Sequence, residues 1–354
     1  MISASGRTFP ASLSDSILMR IPISELIYRS GLGRLIGWRY QGRGVIFMLH
    51  SIVDNPAAYL HDPLRCTPAV LERALRWARA QSLDIVSLDE AVHRLGSETG
   101  GRFVVFTFDD GYRDNITTAL PLMTRYAAPM TICVTTSMIT REMFAWWDGL
   151  VMLFRSHDDV DLEPMGRRFL TGDIRSKSDA VKAVKAWVHQ DGLKAESLRH
   201  VFRRYRIDLR GELETLGMSL GDLKEASRNP LVTLAGHTES HPFLTLLSES
   251  DARREMLENK RFLERETEQP IRHFSYPYGD AGPREAEIAE DLGFLAAVTT
   301  DTGTLFTDHA TAGVLHELPR EALDPSDTVG CLDCRQRGVY RFIKTRSGDP
   351  VARL

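Results

Sequence analysis

Thr107-Phe108-Asp109-Asp110-Gly111-Tyr112 closes the apolar run Phe103-Val104-Val105-Phe106, and its reading decides the fold. A short β-branched and aromatic run bounded by turn residues predicts a buried strand, so the two adjacent carboxylates stand at a strand's C-terminal edge. That edge is where an α/β barrel or an open α/β sheet exposes its chemistry, and Gly111 lets the backbone turn away without a side-chain clash. Two carboxylates this close repel each other if both are ionised, so each requires a cation, a donor or a proton. Taken alone, the stretch also fits a surface turn in which an Asp caps the helix beginning near Tyr112.

Strands and helices alternate on both sides of it. Gly44 to His50 reads as a buried strand ending in a histidine. Thr67-Pro68 opens a helix to about Gln81, with Thr as cap and Pro in the first turn. A short strand follows at Ile85 to Leu88, a short helix at Asp89 to Leu95, and the carboxylate strand from Arg102 to Phe108. A helix over Tyr112 to Tyr126 and a strand over Pro129 to Thr135 continue the pattern, which predicts parallel strands joined by helical crossovers. From Gly149 to about Arg228 the sequence turns charged and helical, with no buried strand expected. Strands then resume at Leu231 to Ala235, His273 to Tyr276 and Leu295 to Thr299, separated by helices at Glu249 to Glu266 and Pro283 to Leu292. The expectation is one α/β domain over residues 44–325, interrupted by a helical insertion at 149–230, with an N-terminal extension (1–43) and a C-terminal tail (326–354).

Composition narrows the class. The 354 residues are 43% hydrophobic and 26% charged, the balance of a globular protein with a substantial core. A net charge of −4 gives no electrostatic footprint for a nucleic-acid partner, and none is expected. Residues 1–20 lack the apolar core and small-residue cleavage site of a secretory signal, and no window reaches bilayer-spanning length. The expected location is therefore cytoplasmic or peripheral on the inner membrane surface. Residues 16–40 mix apolar residues with arginines, which fits either docking on a membrane surface or packing against the domain. Cys133 reads as core, and Cys331 with Cys334 forms a lone Cys-x-x-Cys read as structural or incidental.

A second motif, Gly236-His237-Thr238-Glu239-Ser240-His241-Pro242, also follows a strand. Histidines at i and i+4 share one face of a helical turn and can reach one ion. One carboxylate and two imidazoles leave positions open on a zinc-like ion for water and substrate, and the second carboxylate is then free to act as a base. A third strand end carries Arg272-His273-Phe274-Ser275-Tyr276-Pro277-Tyr278-Gly279-Asp280, where Pro and Gly around Tyr278 set a tight turn able to present a backbone N–H. Each segment alone also fits a surface turn or a core histidine.

Together, Thr107 to Gly111, His237-Thr238-x-x-His241 and Ser275 to Gly279 resemble, in order and spacing over residues 44–320, the three motifs of the NodB-like polysaccharide deacetylases of carbohydrate esterase family four. The resemblance implies a distorted (β/α)7-type barrel, the NodB homology domain, that removes N-acetyl groups from the amino sugars of a chito-oligosaccharide or exopolysaccharide. It implies a divalent metal held by Asp110, His237 and His241, zinc by preference with cobalt or nickel as substitutes. It further implies Asp109 as general base and the Tyr278 backbone N–H as oxyanion donor. Many members place an arginine where this chain has Ser275; Arg272, three residues earlier, is the candidate here to hold Asp109. The family's late Leu-x-His motif has its nearest counterpart in Val314-Leu315-His316, which makes His316 a candidate general acid beside a structural reading. His50, ending a predicted barrel strand, is another candidate for the mouth. Trp146 and Trp147, in a loop after a strand, suit stacking on a sugar ring with Asp148 bonding its hydroxyls, or clamping the insertion to the barrel. The alternatives are a same-fold hydrolase of a small amide, ureide or N-formyl sugar, and a carbohydrate-binding relic without catalysis.

Overall fold

A computed structural model describes residues 23–97, 100–310, 314–340 and 342. The first 22 residues of the expected extension, and residues 343–354 of the expected tail, lie outside the described residues. Helices α1 (Ile23–Ser30) and α2 (Leu32–Tyr40) lead into β1 (Gly44–Leu49). The two-residue strands β2 (Ser51–Ile52) and β3 (Arg65–Cys66) follow, then α3 (Pro68–Ala80), β4 (Asp84–Ile85), α4 (Leu88–Leu95) and β5 (Phe103–Phe108). Next come α5 (Leu120–Arg125), β6 (Met130–Val134) and α6 (Thr136–Thr140). The insertion holds α7 (Trp146–Ser156), β7 (Asp159–Leu162), β8 (Arg167–Leu170), α8 (Ile174–His189), α9 (Lys194–Arg204), α10 (Leu209–Leu216) and α11 (Leu220–Ser227). The main sheet then resumes with β9 (Val232–Gly236), and α12 (Glu249–Thr267), β10 (His273–Ser275), α13 (Pro283–Asp291), β11 (Ala296–Val298), β12 (Glu321–Ala322) and α14 (Val329–Gln336) complete the order.

The local chemistry explains the element ends. Thr67 caps α3 by accepting the Val70 N–H at 3.3 Å, with Pro68 in the first turn. Ser87 does the same for α4. All six residues of β5 are buried, as a parallel strand covered on both faces requires.

The sheet runs β11-β10-β9-β6-β5-β1-β12, with every neighbouring pair parallel and β4 added beside β5. It curls until its edges nearly meet. The Leu318 N–H donates to the Ala297 carbonyl at 2.9 Å, and the Thr299 N–H donates to the Leu318 carbonyl at 2.9 Å. The same short segment then enters β12 and pairs with β1. Residues 318–322 therefore bridge the last strand to the first, giving the distorted (β/α)7-type barrel.

Two expectations about local structure are corrected. The insertion is not wholly helical, because β7 and β8 form an antiparallel hairpin whose Val160, Leu162 and Phe169 enter the insertion's own core with Phe154, Val184 and Phe202. The helix expected from Tyr112 begins late, with a π-helical turn over Asn115–Ala119 before α5. Its first residues are held elsewhere: the Arg113 N–H donates to Leu216 at 2.7 Å, and Tyr112 bridges to Gly217. The Met218 N–H also donates to the Gly111 carbonyl at 3.0 Å, so insertion backbone holds residues 111–113 in an antiparallel bridge and the helical turns start only after it.

Phe106, fully buried against Phe47 at 5.6 Å between ring centroids, sits where β1 and β5 face the helices. Phe106→Ala is expected to lower stability by about 3–5 kcal/mol. Urea unfolding checks it: the midpoint should fall with the slope unchanged.

Candidate active site

Three strand ends deliver the motifs to one mouth. Asp110, just beyond β5, adopts φ 75°, a left-handed conformation that Asp tolerates better than most residues. It turns the carboxylate toward the loop after β9. There the His237 and His241 Nε2 atoms each lie 3.3 Å from Asp110 Oδ1, with all three side chains buried. The two imidazoles do not share a helical turn as the i, i+4 spacing suggests. Left-handed Thr238 (φ 65°) and His241 (φ 63°) fold a tight loop instead, and it achieves the same convergence.

Buried Asn259 on α12 fixes that loop. Its Oδ1 accepts the His237 N–H at 3.0 Å, and its Nδ2 donates to the Val134 carbonyl at 2.9 Å and Thr136 Oγ1 at 3.0 Å. His237 Nδ1 lies 2.7 Å from the Ser275 carbonyl, which can only accept, so the hydrogen is on Nδ1 and the Nε2 lone pair faces Asp110.

These residues fit a divalent cation. One ligand atom from each of Asp110, His237 and His241 lies within 4.8 Å of the others. Asp110 Oδ1 is buried with no hydrogen-bond donor, a state that calls for a positive partner. Burial alone would raise the Asp110 carboxyl; with the imidazoles protonated at Nε2 they would donate to it and hold it well below the usual carboxylate range, and with the lone pairs free a cation takes that place. Burial also opposes protonation of His237, but Asp110 and Asp109 lift its pKa above the ordinary value.

Asp109 has a different partner. Arg320 donates from Nη1 to Oδ1 at 2.9 Å and from Nη2 to Oδ2 at 2.7 Å, a bidentate pair. Ser275 Oγ donates to Oδ2 at 3.3 Å and accepts from Arg320 Nη2 at 3.0 Å, while Arg320 Nε donates to the Thr299 carbonyl at 2.7 Å. Burial pushes the Asp109 carboxyl up, but the Arg320 guanidinium, with His237, overrides it and leaves the group far below its usual value. Arg272, the candidate read from sequence for this role, is half-exposed and pairs with Asp89 at 3.1 Å. It precedes β10, at the opposite end of that strand from the mouth, so it cannot reach Asp109. Sequence reasoning missed Arg320, which stands after the short turn Leu315–Glu317 and just ahead of two-residue β12, with no apolar run to mark it.

A cavity of about 240 Å³ opens over these groups, lined by His50, Asp109, Asp110, His237, His241 and Tyr278 among others. His50 follows β1, and burial pushes its imidazole below the ordinary value against the opposing pull of Asp110 and Asp109. His316 is turned away from this cavity: its Nε2 lies 2.8 Å from the Phe294 carbonyl, and its own carbonyl accepts the Tyr276 hydroxyl at 2.9 Å. Tyr278 takes φ 60° inside the Pro277–Gly279 turn, its ring stacked on Phe243 at 3.9 Å and its hydroxyl accepting from Trp146 Nε1 at 2.9 Å.

Trp146 and Trp147 stand in the first turn of α7 rather than in a loop, and both are buried walls of the cavity. Trp147 packs on the His241 ring at 4.9 Å between centroids, and its Nε1 donates to the Tyr112 hydroxyl at 2.9 Å. Asp148 does not offer itself to a ligand. It is buried, paired with fully buried Arg65 and accepting the Tyr112 hydroxyl at 3.0 Å. This network clamps the insertion to the barrel. Two wall residues absent from the sequence reading, Lys185 and His189, come from α8. A second cavity of about 260 Å³ lies across Trp146, His241 and Tyr278, lined by Phe144, Glu196 and Phe243.

Residues 96–297, more than half of the chain, match the family profile described as polysaccharide deacetylase. Among solved structures, a Streptococcus pyogenes deacetylase, PplD, is similar at 19% identity and TM-score 0.55, covering 81% of this chain and 95% of its own. IcaB from Ammonifex degensii is similar at 16% identity and TM-score 0.55, covering 84% and 97%. A de-N-acetylase from Aggregatibacter actinomycetemcomitans follows at 12% identity and TM-score 0.54, covering 82% and 99%. At these identities the likeness is one of fold. No curated protein matches the sequence.

Arg320→Met leaves Asp109 buried without its cation and is expected to lower stability by about 3–5 kcal/mol at pH 7. Because the folded pKa of Asp109 is depressed, its contribution is present above the unfolded value of about 3.9 and is lost as pH falls through the folded one. The gap between wild type and variant should therefore be full at pH 7 and narrow as pH falls toward and below about 4. Paired urea titrations along that range measure it; a gap of constant size would refute the ion pair.

Proposed function

The chain belongs to the polysaccharide deacetylase family, and from that premise we propose that it removes N-acetyl groups from the amino sugars of a glycan, with a divalent metal at Asp110, His237 and His241. Members of this family are hydrolases of the carbon–nitrogen bond of N-acetyl groups. The observation that carries the reading is the division of labour between adjacent carboxylates: Asp110 faces two imidazoles, while Asp109 is gripped by an arginine.

A divalent ion held there supplies Lewis acidity toward the acetamide carbonyl and toward water. Asp109, kept ionised and oriented by Arg320, accepts the proton of the attacking water. The backbone N–H of Tyr278 is proposed to donate to the tetrahedral oxyanion, a contact typically worth about 3 kcal/mol of barrier. His50, on the cavity wall, is the proposed donor of the proton to the leaving amine. His316 is withdrawn from that role because its ring is spent on the Phe294 carbonyl. Trp146 and Trp147 offer apolar surface to the acetyl group and sugar ring. Zinc is the proposed metal, with cobalt or nickel as substitutes.

The insertion favours a second reading. Trp146, Trp147, Lys185 and His189 wall the cavity and favour a single amide-bearing unit, a small amide, ureide or N-formyl sugar, over an internal position of a long polymer. The neighbouring cavity across Tyr278 supports room for at least one further sugar. A binding relic is disfavoured by the retained and oriented Asp109.

Acetate release from N-acetylglucosamine oligomers of increasing length, with chelated and zinc- or cobalt-loaded protein side by side, tests both readings. Metal-dependent release that rises with length is expected; none from any oligomer, with one metal bound per chain, transfers the assignment to the small-amide reading. Asp109→Asn should abolish turnover while leaving metal content intact. His50→Gln is expected to lower kcat by about 10²–10⁴-fold at unchanged metal content, with His316→Gln near wild type. The reverse ranking would return the proton-donor role to His316.

A further inference from the structure

The pair α1 and α2 is built inside out. On a helix docked to a globular body the large apolar side chains face inward. Here the buried positions are Ser24, Gly33, Gly37 and Tyr40, while Ile23, Leu26, Leu32, Leu35 and Trp38 face solvent, Leu35 at 73% and Trp38 at 90% exposure.

The small face is committed to α14. A Cβ on Gly33 would lie 3.2 Å from Arg337 Cδ, and one on Gly37 would lie 3.4 Å from Arg337 Cβ. On the partner helix, a Cβ on Gly330 would meet the Glu25 backbone at 2.7 Å. Ser24 Oγ lies 3.2 Å from Cys331 Sγ, and Cys334 Sγ donates weakly to the Ser24 carbonyl at 3.7 Å, which gives the lone Cys-x-x-Cys a helix-docking role. With glycine contacts this close, the pair cannot roll its apolar residues inward.

The charges around the apolar row have one sign in excess. Exposed Arg29, Arg34 and Arg39 flank it, against Glu25, which pairs with Arg29 at 3.0 Å. Arg34 makes no ion pair among the described residues. A cavity of about 470 Å³ beside the row is lined by Arg29, Arg34 and Arg337, with Asp333 paired to Arg337. The sequence immediately before α1, Ile17-Leu18-Met19-Arg20-Ile21, repeats the same mixture of apolar residues and arginine.

We propose that the exposed face of α1 and α2 seats the protein on an anionic lipid surface, with Leu35 and Trp38 entering the interface and Arg29, Arg34 and Arg39 meeting phosphate headgroups. Charge complementarity selects this occupant over a second copy of the chain, whose own arginines would oppose these across a symmetric contact. The strand β1 starts after three intervening residues beyond α2 and ends at Leu49, next to His50, so the cavity lies one strand length, roughly 20 Å, from the seat.

Full-length protein is sedimented with vesicles of phosphatidylcholine alone or with phosphatidylglycerol added. Sedimentation is expected only with the anionic vesicles, weakened by salt, together with a blue shift of tryptophan emission that Trp38→Phe removes. Leu35→Glu combined with Trp38→Glu should weaken lipid binding by at least about tenfold. Both side chains are solvent-exposed, so the melting temperature should hold. Absence of binding to anionic vesicles overturns the proposal, as does a dimer in solution that the double variant dissolves while lipid binding is absent. Neither readout depends on hydrolysis.

Discussion

The bidentate pair between Arg320 and Asp109 is the interaction on which the architecture turns. Arg320 belongs to the short segment that joins β11 to β1, so the residue that closes the ring also fixes the carboxylate at the end of β5. Taking two charges out of water is unfavourable unless every donor and acceptor is answered. Here Thr107, Ser275 and Thr299 supply the remaining partners, drawn from β5, β10 and the end of β11. A strand order that failed to bring those ends together would strand a buried arginine. Closure and active-site geometry are thus one condition.

A second buried pair, Arg65 with Asp148, does for the insertion what Arg320 does for the ring. The Arg65 guanidinium lies over the Tyr59 and Tyr112 rings, 4.5 and 4.6 Å from their centroids, so a cation from the barrel is sandwiched while its carboxylate comes from α7. Burial raises the Asp148 carboxyl despite Arg65, which marks the site as tightly desolvated. The Trp pair is positioned from beneath by this network. Its side chains therefore present fixed walls to the cavity.

The barrel and its metal-type triad were legible in the sequence because each rests on local signals. Buried parallel strands read as unbroken apolar runs, and Asp109-Asp110 and His237-His241 sit immediately after them. Closure was less legible. Arg320 precedes a two-residue strand that carries no periodicity, and its partner lies 211 positions away, a pairing no local pattern encodes. The same holds for Arg65 and Asp148. His50 and His316 were indistinguishable as letters in a string, because which ring faces the mouth depends on whether a carbonyl such as that of Phe294 lies within reach. The hairpin of β7 and β8 escaped notice because one face of each short strand is charged and exposed, which reads like surface helix.

The insertion departs after β6 and returns at β9, yet those two strands pair directly through five consecutive residues, from Met130 with Val232 to Val134 with Gly236. The scaffold's register is therefore independent of what is spliced between them. The strand ends that carry the carboxylates and imidazoles and the roof that overhangs them come from separate stretches of the chain, joined by side-chain and loop contacts and not by the sheet.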